Sequence, residues 1–394
     1  MSPRRQSVCV VIADDLSGAC DSAVQFANCG STTTAVLDWS AIDDCETQVV
    51  AASTESRRST PEEAARKVDN LASILHRREN GLIFKKIDST LRGNVAAEIE
   101  ASMRAFGCRA GVIAPAFPAM GRTVSNGWLK VERSDTPPVH LPTHFREEGL
   151  TGIAHVDLAA LAAGADRLHQ TVSGWLSGGT RFIVLDADSD SDLATAVDAC
   201  SGLRPAPLWV GSAGLARALA RHLAGVSERS GRKTVRPIDR SETQRSIILC
   251  IGTDHPATEQ QVKTLSLSRP IIAAAADPSF HPLAEQALRD GRTLLIRIRP
   301  GETGVDCIRS FLAGLDGTRI QALILTGGDT ASLVCRALGA GRIRLNAEIT
   351  DGIPWGWLGG GMLDGLPLAT KSGGFGAANA LIAVANFLGG CPRG

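Results

Sequence analysis

The first half of the chain alternates two patterns of hydrophobic and polar positions. Short β-branched runs, VCVVIA at 8–13, QVVAAS at 48–53, LIFKKI at 82–87, AGVIAP at 110–115 and FIVLDA at 182–187, read as strands. Between them lie alanine-rich stretches with apolar residues three and four positions apart, such as PEEAARKVDNLASIL from Pro61 and VAAEIEASMRAF from Val95, the spacing of a helix face. This order predicts largely parallel strands joined by right-handed crossover helices. From Gly225 to Arg245 the sequence GVSERSGRKTVRPIDRSETQR is polar and basic and follows neither period, as an interdomain linker does. The alternation restarts with SIILCIG at 246–252, PIIAAAA at 270–276, TLLIRIR at 293–299, ALILTGG at 322–328 and LPLATKSGG at 366–374, with helices expected near 256–268, 281–290, 303–315, 329–338 and 376–388. The pattern therefore predicts two α/β domains, 1–225 and 246–394, around a linker at 226–245, each a largely parallel sheet flanked by helices.

Composition narrows the function classes. The 394 residues include 44% hydrophobic and 21% charged positions, a globular balance that excludes a disordered chain. Forty-one Lys and Arg balance 41 Asp and Glu, so the excess positive charge of a general nucleic-acid binder is missing. No apolar run approaches the roughly 18 residues of a membrane span, and VCVVIA is cut off by Asp14 and Asp15 before it makes a signal sequence, so a cytoplasmic protein is expected. The ten cysteines are scattered, without a C-x-x-C pair or zinc spacing, and read as small buried residues in a reducing compartment.

Candidate chemistry gathers where strands end. The first strand runs into Asp14, Asp15, Leu16, Ser17 and Gly18, at the carboxyl end where open α/β sheets bind ligands, although Asp15 or Ser17 also suits a helix cap. Arg57 follows the second strand; Lys86, Asp88, Ser89, Thr90, Arg92 and Gly93 follow the third. Capping accounts for Asp88 or Ser89 but does not call for Lys86 or Arg92. The set joins acids able to take a proton from a hydroxyl to cations able to hold an anion, which suits a small hydroxylated acid. The loop of Pro115, Pro118, Gly121 and Arg122 is a further wall or simply a turn, and the small-residue turn at Gly211 and Ser212 is a weaker candidate for anion contact.

The second half carries a different set. GTDHPATEQQ from Gly252, TGGDTAS from Thr326 and KSGGFGAAN from Lys371 each place glycine between a strand and a helix. Each alone is a tight turn as readily as a ligand site; together their backbone N–H groups make a candidate phosphate cradle. Neither the P-loop nor the G-x-G-x-x-G pattern is present, so the cradle is of another kind. His255 before Pro256 reads as a turn residue, and Asp329 either caps its helix or meets magnesium through water.

Taken in order, IADDLSGA, TESR, KKIDSTLRGN, APAFPAMGR, VGSAGLA, TGGDT and KSGGFG resemble the four-carbon acid sugar kinase family across essentially the whole chain, most specifically in K-x-D-S-T-L-R-G and A-P-A-F-P-x-x-G-R. The resemblance implies a two-domain kinase of carbohydrate catabolism. Its N-terminal domain binds the acid sugar and its C-terminal domain ATP, with the site in the interdomain cleft and the 4-phosphate of 3-oxo-tetronate, threonate or erythronate as product. Carried onto this sequence, it implies substrate contacts from Asp14, Asp15, Arg57, Lys86, Asp88, Ser89 and Arg92, to which the strand-end reading adds Arg122 and Ser212. ATP contacts are implied from Thr253, from Thr326, Gly327, Gly328, Asp329 and Thr330, and from Gly373, Gly374, Phe375 and Gly376, with Lys371 leading that last loop. The stretch after Val131 is shorter than the family's usual one, and Thr253 stands where serine is commoner.

The expected mechanism is ATP-dependent phosphorylation of the terminal hydroxyl. Asp15, or failing it Asp88, takes the proton while Lys86, Arg92 and Arg57 hold the carboxylate, and Mg2+ bridges the ATP phosphates with few direct protein ligands. The other readings are a lyase, aldolase or dehydratase, acting on a small hydroxy acid, and a non-catalytic sensor of sugar acids and nucleotides. Neither nucleic acid nor membrane is expected as a partner, and a homo-oligomer is compatible with the sequence.

Overall fold

In the computed structural model, residues 6–76, 78–132, 136–226, 245–299 and 304–389 are described. The segment read as a linker, 226–245, lies outside the described residues apart from its two ends. The chain divides into two compact units, Met1–Thr33 with Ile42–Arg232, and Thr34–Ala41 with Lys233–Gly394. Among the described residues the first two hundred or so positions form β1 (Gln6–Ala13), β2 (Thr33–Val36), β3 (Val49–Ser53), β4 (Glu79–Lys86), β5 (Gly111–Ala114), β6 (Arg122–Ser125), β7 (Trp128–Val131), β8 (Val139–His140), β9 (Ile153–Val156), β10 (Phe182–Leu185) and β11 (Leu208–Gly211). The remainder adds β12 (Ser246–Ile251), β13 (Ile271–Ala275), β14 (Thr293–Arg297), β15 (Ile320–Thr326), β16 (Arg342–Thr350), β17 (Ile353–Gly359) and β18 (Pro367–Lys371).

The sheet of the first unit runs β3-β1-β4-β11-β5-β10-β9, and all of these neighbours are parallel. β3, β5, β10 and β11 are buried at every residue, because crossover helices cover both faces. That explains why they appear in the sequence as continuous apolar runs. Ala13 pairs with both Ser53 and Lys86, and Gly211 with both Lys86 and Ala114, so five strands end flush in one row. Every loop leaving that row starts from the same edge.

A small antiparallel sheet, β6-β7-β8, interrupts the alternation. Its first hairpin turns at Asn126 and Gly127, both left-handed at φ 51° and 75°, the Asn-Gly turn that matches the twist of paired strands.

The second unit's sheet runs β13-β14-β12-β15-β18-β17-β16-β2. The first five strands are parallel; β17 runs antiparallel to both β18 and β16, so the sheet is mixed. Arg297, Ile251, Thr326 and Lys371 are again flush at the carboxyl ends. Ile247, Leu249, Ile251, Ile324 and Trp355 pack with Leu381, Val384 and Leu388 of the helix Ala380–Gly389, closing one face of this sheet. At its edge, Leu37 N and Asp38 N donate to Gly341 O at 2.8 and 3.1 Å, so a segment from early in the chain completes the later unit. No helix among the described residues is long and apolar enough to cross a membrane.

Candidate active site

At the carboxyl ends of β1, β3 and β4 the loops carry a network of charged side chains. Asp15 caps the helix Leu16–Asn28, its Oδ1 accepting from Gly18 N at 2.7 Å. Its other oxygen accepts from the Arg57 Nη1 at 2.7 Å and from the Ser17 hydroxyl at 3.1 Å. One oxygen of Asp15 thus caps the helix while the other joins the charged cluster. Arg57 grips Asp14 with a two-pronged bond, Nε at 2.7 Å and Nη2 at 2.9 Å, and Nη2 also lies 3.7 Å from Asp88.

The D-S-T-L-R-G stretch is a tight loop wound around the Asp88 carboxylate. Asp88 accepts from Thr90 N at 3.1 Å, from the Thr90 hydroxyl, and from Arg92 Nε and Nη2 at 2.9 and 2.8 Å. Leu91 and Gly93 adopt left-handed φ of 61° and 96°; a Cβ on Gly93 would also sit 3.1 Å from Asp14 Oδ2. Glycine at 93 is thus required by both conformation and space.

Among these cations Lys86 stands apart. It is 4% exposed, and its Nζ has no hydrogen-bond or ion-pair partner among the described residues. It reaches the first turn of the helix Leu16–Asn28, 3.1 Å from where a Gly18 Cβ would lie.

The two carboxyls proposed as bases are tuned apart. Burial pushes the Asp15 carboxyl above its ordinary value, with Asp14 adding repulsion against the opposing charges of Arg57 and Lys86. Burial acts on Asp88 in the same direction, but hydrogen bonds from Arg92 and the charges of Arg57, Arg92 and Lys86 hold it well below the carboxylate range.

The other residues expected to contact substrate are tied into neighbouring loops. Arg122 opens β6, its Nη1 donating to Met120 O, while burial lowers its pKa against the pull of Asp88 and Asp21. Ser212 donates to Ala116 O at 2.9 Å, fastening the A-P-A-F-P loop. Ser89 is 6% exposed in the Asp88 loop. Sequence reasoning missed Asp186, which accepts from Asn126 N and Gly127 N at 2.6 and 2.9 Å and has His155 Nε2 at 2.8 Å. It anchors the hairpin that begins with Arg122. Asp21, Lys85 and Glu98, all buried, were missed as well.

The second unit's loops converge on a surface of backbone and hydroxyls. A Cβ on Gly373 would lie 2.6 Å from Thr253 Oγ1, and one on Gly374 3.0 Å from His255 Nε2. The Gly252 and Lys371 loops therefore touch without room for a methyl group. Gly327, at φ 94°, opens the helix Gly328–Ala337 with no side-chain cap. The Thr330 hydroxyl in that first turn is buried and has no partner among the described residues. Asp329 is exposed beside it.

Other residues hold the loops from behind. Thr326 donates to Cys250 O at 3.2 Å, inside the sheet, and Phe375 packs under Gly352. His255 caps the helix Pro256–Ser268, its Nδ1 accepting from Ala257 N at 3.2 Å. Lys371 is 1% exposed and points inward, donating to the carbonyls of Ser372, Gly373 and Phe375 at 2.9, 3.0 and 3.1 Å and approaching Thr258 Oγ1 at 3.1 Å. Gln261 Nε2 adds bonds to Phe375 O, Gly376 O and Ala377 O at 3.0, 2.9 and 3.0 Å. Because a peptide's C=O and N–H point opposite ways, carbonyls gathered inward leave N–H groups of this glycine loop facing outward. Burial pulls the Lys371 ammonium down to about 7.

Known proteins resemble the chain over both units. Residues 9–219 match a family described as a sugar-binding N-terminal domain, and residues 257–381 one described as a nucleotide-binding C-terminal domain. A D-threonate kinase of Cupriavidus necator is 34% identical over 94% of this chain and 96% of its own. A 3-oxo-tetronate kinase of the same organism is 28% identical over 96% of each. A solved Salmonella typhimurium structure superimposes with a TM-score of 0.74 at 23% identity, covering 95% of this chain and 98% of that one, and so shares the fold.

Proposed function

The chain belongs to the four-carbon acid sugar kinase family, and from that premise we propose that it transfers the γ-phosphoryl group of ATP to the terminal hydroxyl of D-threonate. The observation that carries this reading is Lys86, a buried cation without a partner amid arginines already engaged by aspartates. A sugar-acid carboxylate supplies the missing charge, with the adjacent helix N-terminus adding attraction. D-threonate is preferred among the four-carbon acids because the 34% relative acts on it and the 3-oxo-tetronate kinase stands at 28%.

In the proposed step the substrate's terminal oxygen attacks the γ-phosphorus as the bond to the β–γ bridging oxygen breaks. Asp15 accepts the hydroxyl proton. Its raised pKa makes it the better base than Asp88, whose carboxylate is stabilised by Arg92 and therefore binds a proton weakly. Arg57 holds Asp14 and Asp15 in place, and Arg92 lends positive charge to the reacting end.

The phosphates are taken by the outward N–H groups of the Gly373–Gly376 loop, by the start of the helix Gly328–Ala337 and by the Thr330 hydroxyl, whose lack of a partner fits such a ligand. Thr253 contributes a second hydroxyl where the Gly252 and Lys371 loops meet. Magnesium, when bound, neutralises phosphate charge. No group of three or more His, Cys, Asp or Glu that could hold a metal ion is found among the described residues, and Asp329, exposed in the first turn of the helix Gly328–Ala337, would meet such an ion through water.

Release of ADP from Mg-ATP, followed against D- and L-threonate, both erythronates and both 3-oxo-tetronates, tests the proposal. D-threonate is expected to give the highest kcat/KM. A higher value for another acid would reassign the substrate, and no release with any would overturn the reading.

A further inference from the structure

Beneath the charged cluster lies an ion pair that no substrate reaches. Successive residues of a strand point to opposite faces, so Lys85 turns away from Lys86. Lys85 is 0% exposed, and its Nζ stands 2.5 Å from the Oε2 of Glu98, itself 2% exposed on the helix Val95–Phe106. Glu98 Oε1 accepts the hydroxyl of Ser56, whose oxygen lies 2.6 Å from the Thr54 hydroxyl. Lys85 Nζ also donates to Lys86 O at 3.0 Å and lies 3.5 Å from Ile12 O.

These contacts fall next to the residues that carry the chemistry. Ser56 precedes Arg57, and its N–H donates to Asp14 O at 3.1 Å. Asn94 Nδ2 holds the other side of the same turn, donating to the carbonyls of Ser56 and Ser59 at 3.0 and 2.9 Å. The carbonyl of Lys86 lies two residues before Asp88. One buried pair therefore touches the ends of β1 and β4 and the loop after β3, the three places from which the acid cluster is built. An apolar pair of similar volume would avoid taking two charges out of water and is usually at least as stable, so stability does not account for Lys85 and Glu98. What an apolar pair lacks is direction: it cannot fix the Ser56 hydroxyl or the Lys86 carbonyl.

We infer that Lys85 and Glu98 are positioning residues that set the Arg57 turn, and through it the Asp14 and Asp15 carboxylates, in the geometry that sugar-acid phosphorylation requires. The inference rests on the reading of this cluster as the acid site. The variant Lys85→Met/Glu98→Leu keeps the core filled and is expected to melt at or above the wild-type temperature. Its kcat/KM for the acid should nevertheless fall by about tenfold to a hundredfold, as small displacements of reacting groups do, with the KM for ATP unchanged. Ser56→Ala, which removes the hydroxyl's bonds to Glu98 and Thr54 but leaves the ion pair, should lose about tenfold in the same parameter, and Ser56→Thr should recover most of it. Adding Ser56→Ala to the double variant should change nothing further, since the link is already gone.

Wild-type acid kinetics in a folded Lys85→Met/Glu98→Leu protein would overturn the inference. If that variant does not fold, Ser56→Ala decides alone, and unchanged acid kinetics there overturns it equally. Arg57→Ala separates the two levels. If it leaves acid kinetics intact, the acid-site reading itself fails; if it is impaired while Ser56→Ala is not, only the positioning role falls.

Discussion

The two loop clusters stand on the same kind of platform and are made of opposite materials. In both units parallel strands end flush, at Ser53, Ala13, Lys86, Gly211 and Ala114 in one and at Arg297, Ile251, Thr326 and Lys371 in the other. The first platform carries charged side chains that hold one another: Arg57 with Asp14 and Asp15, Arg92 with Asp88. The second carries glycines and hydroxyls, and its buried cation, Lys371, is turned inward on carbonyls. A small chiral acid must be read group by group, which only fixed side chains do. A phosphate chain presents repeated oxygens to any row of N–H groups, provided that nothing stands in front of them. The first cluster should therefore fail when a functional group is removed, and the second when a methyl group is added.

The sharpest way to break this contrast is Asp15→Asn. Loss of a general base typically costs about a hundredfold or more in kcat, and circular dichroism would show the fold retained. Activity near wild type would remove Asp15 from the chemistry. Because burial raises the Asp15 carboxyl, the acid limb of kcat should also lie above the ordinary aspartate range.

A crossed pair of glycine substitutions sharpens the comparison at smaller amplitude. Gly373→Ala places a methyl group 2.6 Å from Thr253 Oγ1 and should raise the KM for ATP about tenfold while sparing that for the acid. Gly93→Ala, strained at φ 96° and crowding Asp14, should act the other way round. Equal effects on both substrates in either variant would mean that the clusters do not divide the ligands in this manner.

A separate effect is expected on stability. Lys371 has a folded pKa of about 7 against an ordinary 10.5, so between these values the unfolded chain binds a proton that the folded chain does not. The resulting stabilisation is fully present above the ordinary lysine value and is lost as pH falls through about 7. Chemical denaturation from pH 6 to 10 should show that slope, and Lys371→Met should flatten it.

Much of this was legible because the strands that build both platforms are buried on both faces and spell themselves as apolar runs, and because their carboxyl ends break into Asp-Asp, K-x-D-S-T-L-R-G and S-G-G-F-G. The helix expected at 256–268 is Pro256–Ser268. What escaped notice depends on contacts distant in sequence. Glu98 looks like an ordinary solvent-facing glutamate; its position beside Val95, Ile99 and Ser102, all buried, was the available signal that it faces inward. β16 alternates buried and exposed positions from Ile343 to Leu345, the mark of a strand with one face exposed, yet its run is too mixed to resemble the other strands. Lys371 carries a charge that suggests phosphate, but it is turned inward on the carbonyls of the loop that follows it and on Thr258, 113 residues earlier, a direction the residue pattern does not encode.

The strand lent by residues 34–41 has a consequence for synthesis. Its partner β16 emerges about 300 residues later, and at roughly 5–20 residues per second the ribosome needs some tens of seconds to deliver it. Once Gly211 has emerged the nascent first unit has every strand of its own sheet, while residues 34–41 still lack the β16 neighbour that is not yet made.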